Sequence, residues 1–374
     1  MRDIVQSYTQ QYLKSRRSLV IAGLLICCLL LLSACDTSSS PKATGQIYRH
    51  GATLKAAVTP LQREQGQMQL AAFQQWIALM QQFQGKIGTY QQQFAHDQQA
   101  LSTAQTPQAY QAALQVVRQH VESIKIPALK NEASDLEREL ARRSSSWGEH
   151  HTYHDSYNGI TYRLGYEYGP NGIDGIVQDE LSSAKTLADY QQAIEDANTA
   201  LINFQAYQTN TSDKTPWDKA HATDLQLLRH YQLTGQKVVV VSLSEQTLRV
   251  YNHGKLVRAI KVTTGRPEKP SLPGSWWVES KQSPTIFKSD EPKGSPYWYP
   301  DTPISYAMLY HSGGYFIHDS WWRSDYGPDT QFPHVDSSGD SFSFDGSHGC
   351  INVSTANAAW LYQYVSLYPH VIVY

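Results

Sequence analysis

The sequence predicts an α+β chain of several domains, with a helical bundle or helical hairpin followed by a mostly β domain. Three observations predict it. Apolar residues recur at steps of three and four through 59–235, short runs rich in Val, Ile, Tyr and Trp begin at Lys237, and a small polar stretch separates an apolar leader from both. A length of 374 residues suits two or three domains at roughly 150 residues each. The balance of 31 basic against 33 acidic residues supplies no positive field for a phosphate backbone, which argues against nucleic acid as a partner.

The leader comes first. Arg2, Lys14, Arg16 and Arg17 precede an uncharged run over 19–32, whose 14 residues suit the apolar core of a secretory signal and fall short of the roughly 20 needed to span a bilayer. The run ends in Leu32-Ser33-Ala34-Cys35, which resembles the lipobox of bacterial lipoproteins. That resemblance implies a signal peptide over 1–34, a lipid on Cys35 and a membrane partner through it, on the outer face of the cytoplasmic membrane. The alternative is an uncleaved signal anchor, which also leaves the rest of the chain outside. Residues 35–58 read as a flexible tether. The four cysteines therefore do not form a disulfide framework: Cys27 and Cys28 leave with the signal, Cys35 carries the lipid, and Cys350 is the one remaining thiol.

The helical region, 59–235, follows. Leu70, Phe73, Ile77, Met80, Phe83, Ile87, Tyr90 and Phe94 form one amphipathic face, and Tyr110, Leu114, Val117, Val121 and Ile124 form another. Tyr190, Ile194, Ala197, Leu201 and Phe204 repeat that second face 80 residues later. The approach repeats too, Leu101-Ser-Thr-Ala-Gln-Thr against Leu181-Ser-Ser-Ala-Lys-Thr, which predicts two related helical segments. Thr59-Pro60, Thr106-Pro107 and Thr215-Pro216 each offer a hydroxyl N-cap before a proline, Gly235 offers a stop, and Pro127 is expected to break or kink its helix. The outer faces carry Gln rather than charge, which accounts for a charged fraction of only 17%. Between the halves, 144–175 is rich in His, Tyr and Gly. His150, His151 and His154 could serve a metal or glycan site, but they lack a second ligand pair, so the reading preferred is a β-hairpin or aromatic lid packed on the helices.

The last region, 237–374, reads as β structure from three runs, 237–242, 247–251 and 255–263, with a turn at Asn252-His253-Gly254. It also holds the chemistry. Cys350 sits in Ser347-His348-Gly349-Cys350-Ile351-Asn352, with the apolar run Tyr315-Phe316-Ile317-His318 upstream. A thiol attacks as its thiolate, and a free pKa near 8.5 leaves little of that form at neutral pH without help. His318 is placed to take the proton. A helix read over 352–364 would favour the anion through its amino end. Gly349 permits close backbone approach, and the amides of Gly349 and Cys350 are candidates for an oxyanion hole. A zinc site of His311, His318, His334, His348 and Cys350 is the competing reading, and its irregular spacing speaks against it.

These residues, with Val-Ser-Leu-Ser-Glu-Gln-Thr-Leu-Arg-Val-Tyr and Thr-Thr-Gly-Arg-Pro at the start of the region, resemble the L,D-transpeptidases of bacterial cell walls. The resemblance covers 237–374 and not the helical region. It implies Cys350 as nucleophile, His318 as general base and acid, and Asp319 orienting the imidazole through its backbone. Ser347, His348 and Gly349 shape the loop, while Asn352 contacts substrate or fixes that loop. Gly313, Gly314 and Tyr315 fall where the family holds its peptide, and Trp322 is placed at the pocket rim. The implied reaction is attack on a peptidoglycan stem tetrapeptide with release of D-alanine, then resolution of the thioester by an amine to give a 3→3 cross-link. It implies no metal and no organic cofactor. One departure stands out: 28 residues separate His318 from Ser347, about twice the number in family members, and this insertion reads as a lid.

Rival readings are hydrolysis of the same acyl-enzyme, as an L,D-carboxypeptidase, or its transfer to a protein amine. A sortase would require a catalytic arginine shortly after the cysteine, and none follows Cys350. A non-catalytic wall-binding adaptor has no need of both Cys350 and His318.

Overall fold

In the computed structural model, which describes residues 57–374, three helices come first: α1 (Pro60–Gln82), α2 (Gly88–Thr103) and α3 (Pro107–His150). The face over 70–94 is thus two helices and not one. Gln84 takes a left-handed φ of 57° and Gly85 N–H reaches back to Met80 O at 2.8 Å, closing α1. Thr59 caps α1 through a reciprocal pair of bonds with Gln62, and Thr106 caps α3 just ahead of Pro107. Helix α3 runs unbroken through Pro127 for 44 residues, about 66 Å at 1.5 Å per residue. Pro127 does not end the helix, and its own carbonyl accepts from Asn131 Nδ2 at 2.9 Å.

A hairpin follows, β1 (Thr152–His154) with β2 (Thr161–Arg163), and then a 3₁₀ turn at Tyr166–Tyr168. Next come α4 (Ile173–Ser183), α5 (Leu187–Asn210) and α6 (Ala222–His230). The repeated Thr106 and Thr186 both cap helices, one opening α3 and the other α5. Thr215 caps nothing: its N–H donates to Asp213, and α6 starts later, at Ala222. Gly235 is not the stop of α6 either, because Gln232 at φ 58° supplies the left-handed residue and Leu233 N–H bonds Leu228 O.

The C-terminal region holds two larger sheets. The first runs β5 (Lys255–Lys261), β4 (Thr247–Asn252), β3 (Lys237–Ser242), β13 (His370–Val373), β6 (Gly274–Trp277). The second runs β12 (Ile351–Val353), β11 (Tyr315–Asp319), β10 (Ala307–His311), β7 (Ser280–Gln282). A separate pair, β8 (Thr285–Phe287) and β9 (Thr302–Ile304), stands beside them. β3 and β13 pair in parallel and are buried along nearly their whole length, which is why 238–241 reads as four valines with no polar alternation. Bridges at Thr263–Asn352 and Gly265–Ser347 tie the end of β5 to β12 and to the turn before Cys350.

The core does not divide at residue 235. Phe204, Tyr207, Leu227 and Leu228 share one apolar cluster with Val239, Val241 and Ile351. Helix α3 packs first on α1 and α2 through Leu114, Val117 and Ile124, then on α5 through Leu129 and Ala133, and last joins the sheet core through Leu140. Polar bonds reinforce the join. Asp224 and Arg249, both fully buried, meet at 2.5 Å, and Tyr251 and Tyr374 each donate to the same carboxylate at 2.6 Å. Among the described residues no helix is long and apolar enough to cross a membrane. The leader over 1–34, Cys35 and nearly all of the tether lie outside the described residues.

Candidate active site

Strand β12 pairs in parallel with β11 so that His318 lies beside Asn352. The imidazole is held from both sides, with Nδ1 2.8 Å from Asp319 O and Nε2 3.0 Å from Asn352 Nδ2. A carbonyl only accepts, so Nδ1 carries the proton and Nε2 is the basic nitrogen. Burial pushes His318 down to about 4, against the bond to Asp319 O, so the ring is neutral near pH 7. Phe287 stands edge-on to it at 5.0 Å.

Cys350 ends a tight turn. Gly349 has φ 108°, and a Cβ there would lie 2.8 Å from the Tyr315 ring, so glycine is required on both counts. Ser347 Oγ accepts from Gly349 N–H at 3.1 Å and donates to Cys350 O. The thiol donates to Gly314 O at 3.7 Å. Burial pushes it up to about 11, partly countered by the Phe316 N–H. The helix expected over 352–364 is present but starts later: 351–353 form β12, and α7 (Thr355–Tyr364) opens on a Ser354 cap. The amino end of α7 is thus at Ser354, whose hydroxyl accepts from Asn357 N–H, and not at the residue two after Cys350. The Gly349 amide is committed to Ser347.

Cys350, His318 and Asn352 line a cleft of about 640 Å³. One wall comes from 287–303, where Trp298 and Tyr299 face the cleft and Tyr299 packs 5.6 Å from His348. The other comes from the long insertion, through Trp321, Trp322 and Phe342. Bonds within that insertion help to brace the wall. Asp336 accepts from the backbone N–H of Ser324, Asp325 and Ser338, and Arg323 donates to the carbonyls of Ser343 and Asp345. His348 is pushed down to about 4 by burial and by Arg266 and Lys269.

Of the residues the sequence singles out, Cys350, His318, Asn352, Ser347, His348 and Trp322 meet at this cleft. Asn352 is 2% exposed and bonded to His318, and Asp319 is buried with its carbonyl on the imidazole. Gly313 and Gly314 form the turn between β10 and β11, where Gly314 O meets the Cys350 thiol, and the Tyr315 ring lies against Gly349, so this strand end touches the nucleophile's turn without contributing to the aromatic walls. Among the described residues no group of three or more His, Cys, Asp or Glu is placed to hold a metal. Sequence reasoning missed Arg266, which lines the cleft and pairs with Asp345 at 3.1 Å, and Ser271, whose hydroxyl donates to Gly349 O at 2.8 Å. Arg266 lies in the quoted Thr-Thr-Gly-Arg-Pro motif, a signal available but unused. Ser271 had none.

The chain is 30% identical over 138 residues to L,D-transpeptidase 1 of Mycobacterium tuberculosis, covering 36% of this chain and 49% of that protein. It is 26% identical over 139 residues to L,D-transpeptidase 2 of the same species, covering 36% and 30%. The catalytic domain of the Enterococcus faecium L,D-transpeptidase is 28% identical over 37% of this chain and 98% of that one, with a TM-score of 0.31. The chain thus spans about half or less of the length of these two curated relatives. Residues 236–373, the stretch that holds Cys350, His318 and Asn352, match the family model of the L,D-transpeptidase catalytic domain (YkuD).

Proposed function

We propose that the protein is a peptidoglycan L,D-transpeptidase of the cell envelope, exported by the 1–34 leader and tethered to the outer face of the cytoplasmic membrane through Cys35. The observation that carries the reading is one thiol and one neutral, doubly held imidazole lining the same aromatic-walled cleft, inside the stretch that matches the family model. The donor is a stem tetrapeptide. As Sγ attacks the carbonyl of its diamino acid, His318 Nε2 takes the thiol proton, Asn352 giving up its bond to that nitrogen. The imidazolium, kept in orientation by Asp319 O, then returns the proton to the departing D-alanine amine. A second amine resolves the thioester and forms the 3→3 cross-link.

Incubation of the full chain with a disaccharide tetrapeptide and, separately, with a carbapenem, followed by intact mass, tests this. Expected are a Cys350 adduct that Cys350→Ala abolishes and a dimeric product. Monomeric tripeptide product instead means hydrolysis, and transfer to a protein amine would appear as a protein-linked peptide. The absence of any covalent adduct would leave only a wall-binding adaptor.

A further inference from the structure

The helical region reaches the nucleophile. Tyr166, in the 3₁₀ turn after the β1–β2 hairpin, donates its hydroxyl to Gly265 O at 2.7 Å. Gly265 N–H donates to Ser271 Oγ at 3.0 Å, and Ser271 donates to Gly349 O at 2.8 Å. A serine hydroxyl has one proton, so Ser271 is oriented by what it accepts as well as by what it gives. Gly265 is packed close against the 269–271 backbone, where a Cβ would lie 2.2 Å from Lys269 O, and its neighbours bond Ser347 from both sides, Ser347 N–H to Thr264 O and Arg266 N–H to Ser347 O.

The far end of the chain of bonds matters because the Gly349–Cys350 peptide is planar. Fixing Gly349 O fixes the Cys350 N–H, which points the opposite way, and with it the setting of Sγ. Gly349 has no side chain and sits at φ 108°, so its place is set by its backbone bonds alone, to Ser347 Oγ through the N–H and to Ser271 through the carbonyl. The near end is anchored among the helices. Gly165 N–H donates to Tyr207 of α5 at 3.1 Å, and Trp147 of α3 packs on Tyr207 at 5.3 Å. The same segment grips the insertion, with Tyr153 and Tyr162 stacked on buried Phe332 at 4.5 and 5.0 Å and Tyr166 edge-on at 6.0 Å.

We infer that Tyr166 is a positioning residue for the nucleophile, acting through Gly265 and Ser271, so that the helical region forms part of the active site rather than a separate module. The inference rests on the transpeptidase reading for its consequence in acylation, but not for its effect on Cys350. The test is a double-mutant cycle of Tyr166→Phe and Ser271→Ala in the full chain. Two rates are read by intact mass: carbapenem acylation, resolved into its maximal rate and half-saturating concentration, and alkylation of Cys350 by iodoacetamide across pH. Tyr166→Phe keeps the ring on Phe332 and removes only the hydroxyl.

The expected result is a loss of about 10-fold in maximal acylation rate at unchanged half-saturation and unchanged thermal midpoint, with a displaced alkylation profile. The double variant should lose no more than the worse single one. Additive losses, an unchanged rate and profile, or losses that only follow a lowered midpoint would overturn it. If the unmutated protein takes no carbapenem, the transpeptidase reading fails, and the alkylation profiles still decide whether Tyr166 sets the thiol.

Discussion

At the residue scale, the pKa values of Cys350 and His318 diverge in the sense opposite to a preformed ion pair. Burial raises the thiol to about 11 and holds the imidazole near 4, so at neutral pH the cleft contains a thiol and a neutral ring. Proton transfer then accompanies attack rather than preceding it. Alkylation of Cys350 by iodoacetamide, which reads the thiolate, should therefore rise about 10-fold per pH unit from 7 toward 10. A plateau already reached at pH 6 or 7 would mean that an imidazolium holds the thiolate at rest. His318→Ala should lower the acylation rate by about 10²–10⁴-fold, measured by stopped addition of a carbapenem. Asn352→Ala belongs to the same test: it removes a bond to the basic nitrogen, and its effect should fall on maximal rate before half-saturation.

At the element scale, the join between helices and sheets rests on ionised groups that have no solvent. Asp224→Ala leaves buried Arg249 with Glu245 as its one carboxylate partner, at the 2.7 Å contact, and should cost about 3–5 kcal/mol in denaturant unfolding. A loss under 1 kcal/mol would show that the network is incidental. Glu167, beside Tyr166, is 2% exposed, and burial pushes its carboxyl to about 7 from an ordinary 4.5. The folded chain therefore holds this proton more tightly than the unfolded one. Stabilisation is complete below 4.5 and is lost as pH rises to 7, in total about 3 kcal/mol. Glu167→Gln should flatten the fall in thermal midpoint between pH 5 and pH 8, and an unchanged slope would contradict the assignment. Elements were legible where a residue pattern is long or local. The valine run of β3 and the Ser-His-Gly-Cys-Ile-Asn turn are both of that kind. Asn352 and Val353 read as the start of the following helix because so short a strand carries no period that separates it from helix, and only pairing with β11 decides it.

At the scale of the whole molecule, the sequence suggests a boundary near 235 because its periodicity changes there from helix to strand. The core ignores that change. Strand β3 needs cover, and the helices just before it supply Phe204, Leu227 and Leu228 to the cluster holding Val239 and Val241. Residues that act at a distance, Tyr166 on Gly265 or Ser271 on Gly349, left no mark in the sequence because 99 and 78 positions separate the partners. Expressed alone, 236–374 should unfold at a lower temperature than 57–374 or fail to stay soluble, whereas 57–374 should unfold in one calorimetric transition. Two independent transitions, or an equal midpoint for the shorter piece, would restore the modular view. The proposed chemistry depends above all on Cys350. Intact mass of the full chain mixed with a disaccharide tetrapeptide is the decisive measurement: a Cys350-linked acyl species accompanied by free D-alanine, and lost in Cys350→Ala, is expected, whereas release of D-alanine that persists in Cys350→Ala, or no acyl species at all, would show that Cys350 is not the nucleophile.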